Sequence, residues 1–136
     1  KLAELSQRFR HIVTVEEHSV IGGLGGAVCE VLAEMGKADC FAMASSPETF
    51  GLTYLEAMAC GCYTIGSKGE GIDGVIEDGV NGRLVTPDSV EEMTEALKLY
   101  FTDPAAVKEM QRRGIETANR LTEEKVAAMI LSDCGF

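Results

Sequence analysis

Two glutamates with a glycine between them are the residues best placed to do chemistry. They lie in residues 44–61, ASSPETFGLTYLEAMACG, where Glu48 and Glu56 are separated by seven residues and Gly51-Leu52 falls between them. The stretch reads as a strand end, a loop, and a helix whose first turn holds Gly51 and Leu52. The first N–H groups of a helix lack intrahelical partners and form the positive end of its dipole, which suits a phosphate. Gly51, without a Cβ, lets such a group approach the backbone closely. Eight residues of helix rise about 12 Å, enough to set one carboxylate near a sugar and the other near a ribose, with a diphosphate between. Carboxylates accept paired hydrogen bonds from vicinal hydroxyls. On spacing alone the plainer alternative stands ahead: Glu48 answers the helix dipole and Glu56 is a solvated position.

These residues need a scaffold, and the chain supplies alternating strand and helix patterns. His11 to Val15 is a short β-branched run. Leu24, Ala27, Val28, Val31, Leu32 and Met35 then recur at helical offsets, and Gly36 is a stop. Cys40 to Ala44 reads as a buried strand, Phe50 to Cys60 as a largely apolar helix ended by Gly61, and Cys62 to Gly66 as a third strand. A short helix is predicted at Ile72 to Glu77. Asn81-Gly82 signals a tight turn before a short strand at Arg83 to Thr86.

The last third is helical. Val90, Met93, Leu97 and Tyr100 mark one apolar face, with Asp88 or Ser89 as cap and Glu91 or Glu92 at the capping-box position. Asp103-Pro104 opens a second helix with Pro104 at its first position. Val107 and Met110 are its core residues, and Gly114 is a weak point. Thr122 caps a third helix. The expected fold is therefore α/β: a small Rossmann-like parallel sheet of about four strands with flanking helices, in one domain over residues 1–136.

Composition narrows the function classes. The 136 residues are 46% hydrophobic and 25% charged, the proportions of a soluble globular domain. The net charge of -10 repels phosphate backbones and disfavours nucleic acid and anionic membranes as partners. The longest stretch without Asp, Glu, Lys or Arg, His18 to Cys29, is too short and too glycine-rich to span a bilayer. Cys29, Cys40, Cys60, Cys62 and Cys134 fit no disulfide framework, and neither His11 nor His18 completes a zinc spacing. Core thiols in a reducing cytoplasm, with no metal and no cofactor, are the expectation.

Residues 45–61 (SSPETFGLTYLEAMACG) and 63–85 (YTIGSKGEGIDGVIEDGVNGRLV) resemble the C-terminal half of the nucleotide-binding domain of retaining, group 1 glycosyltransferases of the GT-B fold. The resemblance runs from about residue 38 to the C-terminus. It implies that Glu48 faces the donor sugar, that Gly51 and Leu52 hold the diphosphate, and that Glu56 binds the ribose of a UDP-, GDP- or ADP-sugar. The pattern at residues 71–74, GIDG, departs from the acidic pattern many members carry, and nothing is transferred from it. In that family an Arg and a Lys from the earlier half of the domain neutralise the diphosphate, and a second domain holds the acceptor. Nothing in residues 1–38 matches that pair. Lys37 and Lys68 are candidates only by nearness in sequence, and each reads equally as a solvated surface lysine.

The first third resembles something else. Residues 10–34 (RHIVTVEEHSVIGGLGGAVCEVLAE) are similar to a strand–helix unit of the C-terminal domain of transketolase-like thiamine diphosphate enzymes. The metal-diphosphate motif of those enzymes is missing, so no thiamine chemistry is expected. Glycines 22–26 match neither phosphate-loop nor dinucleotide fingerprints, and His18 reads as a structural residue. The chain is thus expected to be a hybrid joined near residues 34–38. The expected function is nucleotide-sugar binding without transfer by the chain alone. The alternative is an inactive chimeric scaffold that self-associates, as a homodimer, to cover its small sheet.

Overall fold

A computed structural model describes residues 39–47 and 51–122. The expected strand at His11 to Val15, the helix after it and the helix capped by Thr122 lie outside the described residues, as does Glu48. Six elements follow in order: β1 (Cys40–Ala42), α1 (Leu52–Ala59), β2 (Tyr63–Ser67), β3 (Arg83–Val85), α2 (Val90–Thr102) and α3 (Pro104–Arg120). The three strands form one parallel sheet in the order β1-β2-β3. Cys40 lies opposite Tyr63, and Ile65 opposite Arg83. The small parallel sheet flanked by helices is the expected one, with three of the four predicted strands inside the described residues.

The central strand β2 is buried along its whole length, as a parallel strand covered on both faces must be. Side chains alternate between the faces, and Leu84 and Val85 accordingly enter different clusters. One cluster joins Phe41, Cys62 and Leu84 to Tyr54, Ala57 and Met58 of α1 and to Ile72 and Ile76. The other joins Tyr63, Ile65 and Val85 to Ala96 of α2 and to Val107 and Met110 of α3. Tyr63 donates its hydroxyl to the Ala96 carbonyl at 2.9 Å, and burial pushes its pKa up to about 12. The later residue Ala118 of α3 belongs to the first cluster, so this helix reaches both faces of the sheet.

Several expectations need correction. Residues 72–77 form turns, with Asp73 bridging to Ile76, rather than a short helix. Ile72 and Ile76 have helical spacing, yet each is a fully buried turn residue. They cross β2 at Gly66, where a Cβ would sit 3.0 Å from Ile72 and 3.1 Å from Ile76. The apolar face of α2 is rotated from the predicted one: Val90 is 79% exposed and Leu97 is exposed, while Ala96 is buried with Met93, Leu99 and Tyr100 packed beside it. Ser89 does cap α2, accepting from the Glu92 N–H at 3.2 Å. The Glu92 carboxylate, however, turns away from the capping box to Thr86. The last strand stops at Val85, and the thiol of Cys60 is exposed rather than core, whereas Cys62 is buried. Gly114 marks a close approach: a Cβ there would lie 3.3 Å from the Asn81 carbonyl oxygen and 3.6 Å from Met58. Pro104 opens α3 as predicted, with the Asp103 carboxylate accepting from the Ala106 N–H at 3.0 Å. Among the described residues no helix is long and apolar enough to cross a membrane.

Candidate functional site

The site is assembled where the strands end. In an open parallel sheet the crevice beyond the carboxyl ends of the strands is where ligands bind. Here β1 runs out at Ala42 and the chain passes through residues 43–47 toward Gly51. Gly51 adopts the left-handed conformation (φ 70°, ψ 59°) at the N-cap of α1, a region glycine enters without the Cβ penalty. Its carbonyl accepts the Tyr54 N–H at 2.9 Å. Among the described residues no side chain caps α1, and its first turn contains no acidic residue. Gly51 itself is buried, while the Leu52 side chain is 64% exposed. Leu52 and Glu56 are four apart and so share a face of the helix, and Glu56 is exposed too. The structure therefore brings Leu52 and Glu56 together on one solvent-facing stripe of α1, with buried Gly51 at the helix start. The predicted donor-sugar residue Glu48 falls outside the described residues.

The segment leading to Gly51 is fastened step by step. The Met43 N–H donates to the Ile65 carbonyl at 3.0 Å, and the Met43 carbonyl accepts the hydroxyl of buried Tyr54 at 2.8 Å. The Ser45 carbonyl accepts the hydroxyl of fully buried Ser67 at 2.9 Å. Ser46 then donates its hydroxyl to Glu70 Oε1 at 2.6 Å. Glu70 sits on a turn closed by the Gly69 N–H on Asp73 Oδ2 at 2.6 Å and by the Asp73 N–H on the Glu70 carbonyl at 2.8 Å. None of these positioning residues was singled out from sequence. Ser46 and Glu70 are 24 positions apart, and no local pattern pairs a serine with a glutamate at that separation.

The carboxyl ends of β2 and β3 carry a second polar group. Lys68 Nζ lies 3.0 Å from Glu92 Oε2. The Glu92 carboxylate also accepts from the Thr86 N–H at 2.9 Å and the Thr86 hydroxyl at 3.0 Å. The Thr86 backbone bond, then Lys68, then the Thr86 hydroxyl hold the Glu92 pKa down at about 2. Lys68, one of the two lysines considered for a diphosphate, is thus engaged by Glu92, and Lys37 is outside the described residues. Two surface concavities lie toward the other edge of the sheet. One of about 300 Å3 is lined by Asn81, Arg112 and Thr117. The other, about 420 Å3, is lined by Asp39, Tyr100, Phe101 and Lys108. Neither includes a residue of the α1 stripe. Among the described residues no cluster of His, Cys, Asp and Glu is arranged to hold a metal ion.

A parallel α/β layer with a glycine-led helix at the carboxyl edge of its first described strand is an arrangement that recurs among doubly wound α/β domains. The chain belongs to the family described as "Glycosyl transferases group 1", whose sequence model matches residues 15–120. That match begins inside the stretch that resembles a transketolase-type unit. Sucrose synthase of Thermosynechococcus vestitus is 30% identical over 128 residues, which cover 85% of this chain and 16% of that protein. D-inositol 3-phosphate glycosyltransferase of Kribbella flavida is 34% identical over 88 residues, covering 65% of this chain and 21% of that protein. Among solved structures, Anabaena HepE in complex with UDP and glucose superposes with a TM-score of 0.66 at 26% identity, covering 78% of this chain and 30% of that one. The fold is thus GT-B-like, and the chain spans less than a third of the length of each of these proteins.

Proposed function

We propose that the chain provides the nucleotide-sugar half-site of a retaining group 1 glycosyltransferase. In this reading the first turn of α1 at Gly51-Leu52 receives the diphosphate, Glu56 binds the ribose hydroxyls, and Glu48 faces the donor sugar. The observation that carries the reading is Gly51: it opens α1 in the left-handed conformation, at the carboxyl edge of the sheet, with neither a side-chain cap from the described residues nor an acid in the first turn. A helix start left open in this way favours an anion by its orphan N–H groups and its dipole. HepE, the structural relative, is described in complex with UDP and with UDP-glucose, which supports a uridine nucleotide as the first ligand to try.

The 136-residue chain is proposed to bind without transferring. Charge stabilisation at the leaving diphosphate is usually the largest catalytic contribution, and Lys68 is held by Glu92. Thermal unfolding in UDP, GDP, ADP and their glucose or mannose conjugates at millimolar concentration tests the reading. At ten times the dissociation constant a ligand adds roughly 1.4 kcal/mol, raising the midpoint by about 3–6 °C in a domain of this size. A shift with one nucleotide family that Glu56→Ala reduces to about a third is expected; no shift with any of them overturns the reading. Sugar release lost in Glu48→Ala would overturn the absence of transfer.

The exposed Phe101 and Leu97 near the corner of α2 and α3 favour one alternative, a self-associating scaffold with idle site residues. Light scattering that shows a strict monomer at high micromolar concentration would dismiss it. For residues 15–38, the family match supports a single-family domain over a hybrid.

A further inference from the structure

We infer that Glu70 is a positioning residue for the donor site, acting through Ser46 on the helix start at Gly51. The inference rests on the nucleotide-sugar reading above and extends it to a residue outside the proposed binding stripe. Its ground is a contrast in how the start of α1 is held. A helix whose N-cap has a side-chain acceptor fixes its own first turn. Among the described residues Gly51 has no such acceptor, so the orientation of the first N–H groups depends on the packing of α1 and on the segment that enters it. That segment is tied at Met43 by β2 and Tyr54, at Ser45 by Ser67, and at Ser46 by Glu70. The first two ties use groups in the core or next to it. The third is the last of these ties before Gly51 among the described residues, and it is a hydroxyl donating to a carboxylate, a short bond of the charge-assisted kind.

The turn presenting Glu70 is itself braced. Asp73 closes it from one side, and Ile72, fully buried, anchors it against Gly66 of β2. Glu70 therefore transmits the position of β2 to the loop before α1. A donor site built on the first turn of a short helix loses affinity when that turn wanders, because the ordering must then be supplied at binding.

Two measurements on Ser46→Ala, Glu70→Ala, Glu70→Gln and the double alanine variant test this. The first is hydrogen exchange at the amides of residues 52–54 in the free protein. The second is calorimetric titration with UDP-glucose, with GDP-mannose and ADP-glucose as further probes. Both single alanine variants are expected to exchange faster at the helix start and to bind about three- to tenfold more weakly, the range for an exposed hydrogen bond to a charged group. The double variant should be no worse than Glu70→Ala alone. Glu70→Gln, whose amide oxygen still accepts from Ser46, should stay within about twofold of the parent. Unchanged exchange in the alanine variants overturns the inference whether or not any nucleotide binds. So does full affinity in Glu70→Ala, or loss in Glu70→Gln equal to that in Glu70→Ala. Absence of binding in the parent chain, with exchange altered as expected, overturns the nucleotide-sugar reading and the consequence for affinity, while leaving Glu70 in its positioning role.

Discussion

Two helices start at the same edge of this sheet, and their first turns are built in opposite ways. α2 follows β3. Ser89 caps it, Glu91 and Glu92 stand in its first turn, and Glu92 folds back to Thr86 and Lys68. Its positive end is answered from within the chain. α1 follows β1 and has none of this: its cap is Gly51, its first turn is without acid, and its exposed stripe runs from Leu52 to Glu56. Local capping chemistry is worth about 1 kcal/mol for a helix, so leaving it out has a cost in stability. The comparison teaches that one end is answered by a carboxylate of the protein, while the other carries no such group and is the end proposed above to receive a diphosphate.

The comparison breaks most sharply if α1 is given what α2 has. Gly51→Asp places a carboxylate at the open cap, and Asp tolerates the left-handed conformation better than most residues. It is expected to lower nucleotide-sugar affinity by about 100-fold or more, through repulsion at the diphosphate, and to lower the melting temperature as well, since Gly51 is buried and left-handed. Calorimetric titration checks this, and retained affinity would mean that the diphosphate is not at Gly51. Next in size, Glu56→Ala should weaken binding about tenfold by removing a charged acceptor for ribose hydroxyls. Its melting temperature should hold, since Glu56 is exposed; a lowered midpoint with unchanged affinity would assign it a structural role instead.

On the α2 side the effects fall on stability and leave binding alone. Ser89→Ala removes the bond to the Glu92 N–H and should cost about 1 kcal/mol, or roughly 3–6 °C in midpoint. The smallest expected effect is a pH dependence. The Glu92 pKa lies at about 2 against an ordinary value of 4.5. The folded protein therefore holds Glu92 ionised more tightly than the unfolded chain does. That contribution is fully present above pH 4.5 and fades as pH falls toward 2. Melting curves of the parent and Glu92→Gln should differ at pH 6 and converge toward pH 2. A gap that stays constant across that range would show that the ionised form of Glu92 does not matter.

The fold was legible where one signal dominated. Apolar runs closed by Gly61 or opened by Pro104 read directly as α1 and α3, because punctuation and pattern agreed. It was illegible where spacing and context disagreed. Ile72 and Ile76 are four apart, yet Gly71 and Gly74 hold that segment in turns, with Gly74 at φ 95°. On α2, apolar residues occur on more than one face, and the buried position belongs to the small Ala96, which lets the helix approach β2 closely enough for Tyr63 to reach its carbonyl. Pattern reading weights large residues and passes over alanine. Of the candidate site, the glycine-led start and Glu56 were readable as local features of one segment. The bond from Ser46 to Glu70 was not, since it depends on β1 and β2 lying side by side.

One further consequence follows from α3. Val107 and Met110 sit in the cluster on one face of the sheet and Ala118 in the cluster on the other, with Gly114 pressed against Asn81 and Met58 between them. Buried Asn81 binds Thr117 of the same helix at 3.1 Å and the Val75 carbonyl at 2.9 Å. Neither layer can come apart while α3 keeps its place, and α3 cannot leave without opening both. For the described residues this makes unfolding an all-or-none event, so fluorescence from the tyrosines and far-ultraviolet dichroism from the helices should report one common transition.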